Sequence, residues 1–75
     1  MQIISISVDN RVKEIPEVQD ILTEYGNDIT ARLGIHNPKK ENQGVVIVAY
    51  IGEKVDQLIE DLNAIQGVDI NDMEV

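Results

Sequence analysis

Hydrophobic and polar residues alternate along residues 4–8 of the run QIISISV, which is the pattern of a β-strand that buries one of its faces. Aliphatic side chains occupy one set of alternate positions, and small hydroxyl side chains occupy the other. These sets are Ile4, Ile6 and Val8 on one face and Ser5 and Ser7 on the other. We therefore predict a first strand whose aliphatic face lies in the core and whose serines lie on the opposite side of the sheet.

The same alternation returns in a second stretch that starts at residue 29. Its aliphatic positions are Ile29, Ala31, Leu33 and Ile35, and its intervening positions are Thr30, Arg32, Gly34 and His36. We predict a second strand that ends at Asn37-Pro38 and packs its aliphatic set against the core. Arg32, Gly34 and His36 would then share the outer face with the two serines.

Apolar side chains recur at helical spacing in two further stretches. The first comprises Val18, Ile21, Leu22 and Tyr25, and the second comprises Val55, Leu58, Ile59, Leu62 and Ile65. Asp9 or Asn10 can cap the first helix. Pro16 belongs in the first turn of that helix, or it kinks a helix that begins nearer Arg11.

Two more strands complete the predicted fold. The run VVIVAYI at residues 45–51 is apolar on both faces, which indicates a central strand. Val68 and Ile70 open a last strand whose alternation slips before Met73, which predicts a bulge or a frayed edge. The order βαββαβ predicts a single α+β domain of ferredoxin-like fold over residues 1–75, with two helices on one face of a four-stranded antiparallel sheet.

Composition narrows the possible functions. The 75 residues include 14 acidic and 6 basic side chains, a net charge of −8, and no cysteine. We expect a cytoplasmic protein without disulfides, and the acidic excess opposes direct binding to nucleic acid or to a membrane. Because the core is small and the third strand would expose an apolar face, we expect a homo-oligomer, either a dimer or a tetramer.

The run DITARLGI at residues 28–35, the polar turn and apolar strand that follow it, and LNAIQGVDI at residues 62–70 together resemble the small regulators of the iron-only hydrogenase system. These are ACT-like proteins that share their fold with the effector domain of the nickel-responsive repressor. The resemblance covers nearly the whole chain. It implies an ACT-like dimer or tetramer with a role in hydrogenase-related or transcriptional regulation, exerted through a partner protein. The repressor's nickel site is not carried over, because this chain has one histidine and no cysteine.

Arg32 and His36 are the main candidate binding residues. Arg32 could hold the carboxylate or phosphate of a small effector, or pair with an acidic residue of a neighbouring subunit, which the acidic composition favours. We interpret His36 as a polar residue at a strand end, and a metal site shared between subunits is the alternative. Replacing Arg32 should weaken assembly or binding more than replacing His36. Gly34→Val should be more harmful than either if Gly34 permits a close backbone approach or a bulge.

Two functions remain open. No phosphate-binding glycine loop or nucleophile-elbow motif occurs in the sequence, so we expect no catalytic residue, cofactor or metal. The first hypothesis is a regulatory module for ligand binding or assembly, with Ser5, Ser7, Arg32, Gly34 and His36 as ligand or interface residues. The alternative is a small ferredoxin-like barrel enzyme with a pocket lined by Arg32 and His36 on the helix-free sheet face. We favour the first because the chain lacks a constellation of acid, base and nucleophile.

Overall fold

A four-stranded sheet with two helices on one side forms the architecture. The computed structural model describes residues 1–36 and 39–75, so the predicted strand end at Asn37-Pro38 lies outside the described residues. The elements in chain order are β1 (Gln2–Val8), α1 (Arg11–Glu24), a 3-10 turn (Gly26–Asp28), β2 (Ile29–His36), β3 (Gly44–Tyr50), α2 (Val55–Asn63) and β4 (Val68–Glu74). The strands lie in the order β2-β3-β1-β4, and neighbouring strands are antiparallel. The predicted α+β, ferredoxin-like βαββαβ fold is confirmed.

The core lies between the helices and one face of the sheet. The central strands β1 and β3 and both helices supply its buried aliphatic and aromatic side chains. The buried hydrophobic residues are Ile4, Ile6, Val8, Val18, Leu22, Val46, Val48, Tyr50, Leu58, Leu62 and Ile65. Each side chain of this size stabilises the fold by about 1.5 to 3 kcal/mol when fully buried. Neither helix in the described part of the chain has the length and hydrophobicity needed to cross a bilayer.

A buried carboxylate fixes the start of α1. The side chain of Asn10 caps the helix by accepting a hydrogen bond from the third helical N–H at 3.3 Å, as the sequence predicts. Glu14, only 3% exposed, accepts the backbone N–H of Asn10 at 2.7 Å. Its carboxyl also occupies the space where a side chain on Gly67, at φ +88°, would lie. α1 begins at Arg11, so Pro16 lies inside the helix and not in its first turn. This start is the one given in the second of the two predicted alternatives.

A β-bulge at Thr30 interrupts the start of β2. Ile29 lies opposite Tyr50, whereas Ala31 lies opposite the adjacent Ala49, so Thr30 is an extra residue in this strand. Because successive side chains of a strand point to opposite faces, one extra residue exchanges the faces of every residue after it.

The predicted faces of β2 are therefore wrong beyond Ile29. Ala31, Leu33 and Ile35 lie on the side of the sheet that carries no helix. Arg32, Gly34 and His36 lie on the helix side, opposite Val48, Val46 and Gly44 of β3, which are all buried. The uninterrupted alternation in the sequence gives no sign of this reversal.

The last strand is regular, contrary to the predicted bulge or frayed edge. β4 pairs with β1 without a register shift from Val68 to Glu74. Asp72 consequently falls on the helix side and Met73 on the opposite side. Both side chains are exposed at this edge of the sheet, so a polar residue at position 72 is accommodated without burial.

Candidate functional site

The helix-free face is a broad apolar surface. We define it by three rows across the sheet, which are Ala31-Ala49-Ile3-Met73, Leu33-Ile47-Ser5-Asn71 and Ile35-Val45-Ser7-Asp69. Ser5 and Ser7 lie here as predicted, and the other polar side chains of these rows belong to β4. Asp69 is the only charged residue in the three rows.

Large hydrophobic side chains are exposed to water on the helix-free face. Leu33 is 59% exposed, Ile35 is 48% exposed and Met73 is 61% exposed. Ser5 borders a shallow depression of about 150 Å³ together with Ile3 and Met73. Contiguous apolar surface of this kind is uncommon on soluble monomers and marks contact surfaces.

A second concave region, the α1–β2 groove, lies on the helix side. Its volume is about 260 Å³, and its lining includes Arg11, Ile15, Gln19, Gly34, His36 and Val46. Arg32 lies just outside one end of this lining, where its guanidinium donates a hydrogen bond to the side-chain oxygen of Gln19. Arg11 lies at the other end, where its Nη1 is 2.9 Å from Nδ1 of His36. Its Nε donates a hydrogen bond to the carbonyl of Glu41 at 2.6 Å. The bulge at Thr30 thus brings Arg32, Gly34 and His36 against α1.

Within the described part of the chain, neither the Arg11 nor the Arg32 guanidinium lies within 4.0 Å of a carboxylate. Arg11 and Arg32 are the only arginines of a chain with 14 acidic residues. An ion pair joins the N-terminus to Glu74, at 3.3 Å. The two arginines instead contact a backbone carbonyl, an imidazole and a side-chain amide. Each guanidinium keeps N–H donors that an anion could use.

Gly34 leaves the middle of the α1–β2 groove open. A β-carbon at this position would meet no atom within 4 Å. Gly34 therefore serves neither a close backbone approach nor a bulge, and the bulge of β2 is at Thr30. The condition under which Gly34→Val would be the most harmful substitution is therefore not met, and a valine side chain at this position would extend into the groove.

The pocket of the alternative enzyme hypothesis is not where the sequence placed it. That hypothesis needs Arg32 and His36 to line the helix-free face, and the register of β2 places both on the helix side. Two sheets packed face to face would enclose Leu33 and Ile35 instead. Ser5 and Ser7 also lie on the opposite side of the sheet from Arg32 and His36, so the five predicted site residues form two separate groups.

A third concave region lies at the other end of the sheet. Its volume is about 690 Å³, and Glu24, Asp28 and Glu53 contribute carboxylates to its lining. The rings of Tyr25 and Tyr50 meet edge to face with centroids 6.2 Å apart. Both hydroxyls are protonated near neutral pH and can donate hydrogen bonds.

The environments of the two tyrosines explain their protonation. Tyr25 donates a hydrogen bond to Asp61 at 2.6 Å, and this bond, together with burial, raises the pKa of Tyr25 to about 12. Burial raises the pKa of Tyr50, and the nearby Asp28 carboxylate adds to the effect. The described residues contain no cluster of three or more histidines and carboxylates that could hold a metal ion.

Arg11 and Gln19 are the groove residues that sequence reasoning missed. Both lie on α1 with Ile15 between them, at a spacing of four residues, which places all three on one face of the helix. That spacing was available in the sequence. The strand residues facing them could not be identified without knowing that Thr30 is bulged.

Comparison with solved structures supports the fold. The structure of the uncharacterized protein TM1266 from Thermotoga maritima superposes with a TM-score of 0.81 at 24% identity, covering 96% of this chain and 91% of that one. A formyltetrahydrofolate deformylase from Pseudomonas putida KT2440 superposes with a TM-score of 0.66 at 12% identity, covering 99% of this chain but only 28% of the enzyme. At these identities the similarity concerns the fold.

Comparison of the sequence with protein families is more specific. None of the curated proteins matches the chain. Residues 1–71 match the TM1266-like family, whose description is "Iron-only hydrogenase system regulator, putative". The match spans all four strands and both helices, except for the last residues of β4. The chain belongs to the TM1266-like family of iron-only hydrogenase system regulators.

Proposed function

We propose that this protein is a small regulatory module that assembles as a homo-oligomer through its helix-free face, senses a small effector, and acts through a partner protein in hydrogenase-related or transcriptional regulation. The observation that carries the proposal is the exposed apolar surface that includes Leu33, Ile35 and Met73. The family's description supports the regulatory role.

The charge distribution favours a second copy of the chain as the occupant of the helix-free face. The chain carries a net charge of −8, so two copies repel each other over most of their surfaces. The three rows of the helix-free face contain a single charged residue, Asp69, at the β4 edge. Two copies that meet there bury apolar side chains and bring few like charges together. Such an interface is isologous and closes as a dimer, and a pair of dimers would form the tetramer.

The position of β2 offers a route from effector binding to assembly. Leu33 and Ile35 contribute to the helix-free face. Of the residues that alternate with them, Gly34 and His36 line the α1–β2 groove, and Arg32 contacts it through Gln19. A ligand that changes the position of β2 relative to α1 also changes the surface offered to the second copy. By thermodynamic linkage, a ligand that binds the oligomer more tightly than the monomer promotes assembly.

Sedimentation equilibrium over a micromolar concentration range tests the proposal. We expect a dimer or a tetramer at physiological salt, with association that strengthens as the ionic strength rises, because salt screens the repulsion between two chains of charge −8 and leaves the apolar contact in place. A monomer throughout that range would refute assembly through the helix-free face. Native mass spectrometry of the same samples would show whether the assembly is closed at a dimer or continues to a tetramer.

A further inference from the structure

We propose that the α1–β2 groove binds a small linear dicarboxylate, with one carboxylate held by Arg11 and the other by Arg32. This inference deepens the proposed function and rests on it in one respect, because the dicarboxylate would be the effector that the module senses. The groove has an arginine at each end and an apolar middle, and each of these features constrains the ligand.

The part of α1 and the part of β2 that border the groove have nearly the same length. Arg11 meets His36 at one end of the groove, and Gln19 meets Arg32 at the other, so α1 runs antiparallel to β2. Eight helical residues from Arg11 to Gln19 rise about 12 Å. Four strand residues from Arg32 to His36 span about 13 Å. The two ends of the groove, each with one guanidinium, are therefore about 12 to 13 Å apart. A short extended molecule can bridge this distance when both arginine side chains lean inward.

The middle of the groove requires an apolar segment in the ligand. Ile15 of α1 and Val46 of β3 line it, and Gly34 leaves open space between the two ends. A volume of about 260 Å³ lies just below the ordinary range of small-molecule sites, about 300 to 1,000 Å³. A short methylene chain fits this space and this lining, whereas a nucleotide or a peptide is too large.

The two guanidiniums can bind an anion at each end of the groove. A guanidinium has five N–H donors, and the contacts of Arg11 with Glu41 and His36 and of Arg32 with Gln19 use only some of them. These contacts hold the side chains at the groove without neutralising their charge. A carboxylate matches the planar geometry of a guanidinium through two parallel hydrogen bonds. A single phosphate would engage one end and leave the other unsatisfied.

Three probes with the same six-carbon chain separate the contributions of charge and chain. Adipate carries two carboxylates, hexanoate carries one, and hexanediamine carries two amines. Each is titrated into the full chain at physiological ionic strength, with calorimetry for affinity and amide chemical shifts for location. We expect adipate to bind about 10- to 100-fold more tightly than hexanoate, since it makes a second charge-assisted contact. Hexanediamine should not bind. Equal affinities for adipate and hexanoate would overturn the proposal.

Two pairs of variants locate the site. Arg32→Gln should weaken adipate binding about 10- to 100-fold, and Lys54→Gln, which removes the same charge at the start of α2, should leave it unchanged. Gly34→Val fills the groove and should abolish binding, whereas Gly26→Ala, also at a position with no atom within 4 Å, should not. If Gly34→Val fails to fold, Gly34→Ala replaces it. Equal effects of Arg32→Gln and Lys54→Gln would overturn the proposal.

Sedimentation of the same samples distinguishes failure of this inference from failure of the proposed function. Adipate binding to a chain that remains monomeric supports the dicarboxylate site and refutes regulation through assembly. Assembly without any adipate binding refutes the dicarboxylate site and leaves the oligomeric module standing. A change in the dissociation constant of the oligomer upon addition of adipate would support both.

Discussion

Replacing Leu33 by threonine tests the role of the helix-free face most directly. Leu33 lies in the middle of β2, and 59% of the residue is exposed in the isolated chain. Threonine is β-branched and therefore suits a strand, so the substitution should leave the fold intact while removing most of the apolar contact. We expect weaker self-association with little change in the stability of the protomer.

The magnitude follows from the exposed fraction. Complete burial of a leucine side chain is worth about 1.5 to 3 kcal/mol, so burial of the 59% that is exposed contributes roughly 1 to 2 kcal/mol per protomer. A two-fold symmetric interface contains the residue twice, which gives roughly 2 to 4 kcal/mol per dimer. The dimer dissociation constant should therefore rise about 30- to 700-fold.

A matched control separates this effect from general hydrophobicity. Val12 is 79% exposed on α1, away from the sheet, so Val12→Thr also removes exposed apolar surface. Sedimentation equilibrium of both variants should show dissociation for Leu33→Thr and the wild-type assembly for Val12→Thr. Wild-type association of Leu33→Thr, or equal weakening by the two substitutions, would refute the assignment of the interface to the helix-free face.

Three further predictions concern stability, titration and partners. Gly67→Ala should lower the free energy of unfolding by about 2 to 5 kcal/mol, because it combines a left-handed backbone with overlap on the Glu14 carboxyl. Chemical denaturation measures this effect, and a loss no greater than that of Gly26→Ala would contradict it. The hydrogen bond from Tyr25 to Asp61 should stabilise the fold fully below about pH 10 and cease to do so as the pH rises through about 12. Tyr25→Phe should remove that alkaline dependence, and an unchanged pH profile of thermal unfolding would count against it. Duplex DNA should not bind saturably in a gel-shift assay at physiological salt, because the net charge is −8, and a sequence-dependent shift would refute this.

The sequence predicts the core of the fold because burial acts on patterns that are visible in it. β1 alternates as its burial requires, β3 is apolar on both faces, and the helical stripes reappear as Val18 and Leu22 of α1 and Leu58 and Leu62 of α2. These elements are central, so the hydrophobic effect constrains each of their residues.

Burial does not constrain the residues of the edge strand β2 in the same way. From Ala31 to His36 its residues are exposed on both faces, so the alternation of Leu33 and Ile35 with Arg32 does not reveal which set faces the core. The deciding fact is that Ile29 pairs with Tyr50 while Ala31 pairs with Ala49, and this depends on contacts between strands. For this reason the sequence identified Arg32, Gly34 and His36 as a group but placed them on the wrong side.

The extra residue in β2 has a consequence for how this chain can change during evolution. Loss of the Thr30 codon would restore an unbroken strand in which Ile29 still lies opposite Tyr50 and Ala31 still lies opposite Ala49. Because residues directly opposite each other in an antiparallel pair point to the same side of the sheet, each later residue would keep its face. A descendant that lost this residue would therefore keep Leu33 and Ile35 on the outer sheet surface and the arginine and histidine of this strand beside α1. A descendant that kept the residue but paired it regularly with Ala49 would shift the rest of the strand by one position along β3 and exchange its two faces. The pairing of position 30, more than the length of the segment, is therefore the difference to examine when relatives of this chain differ in what they bind.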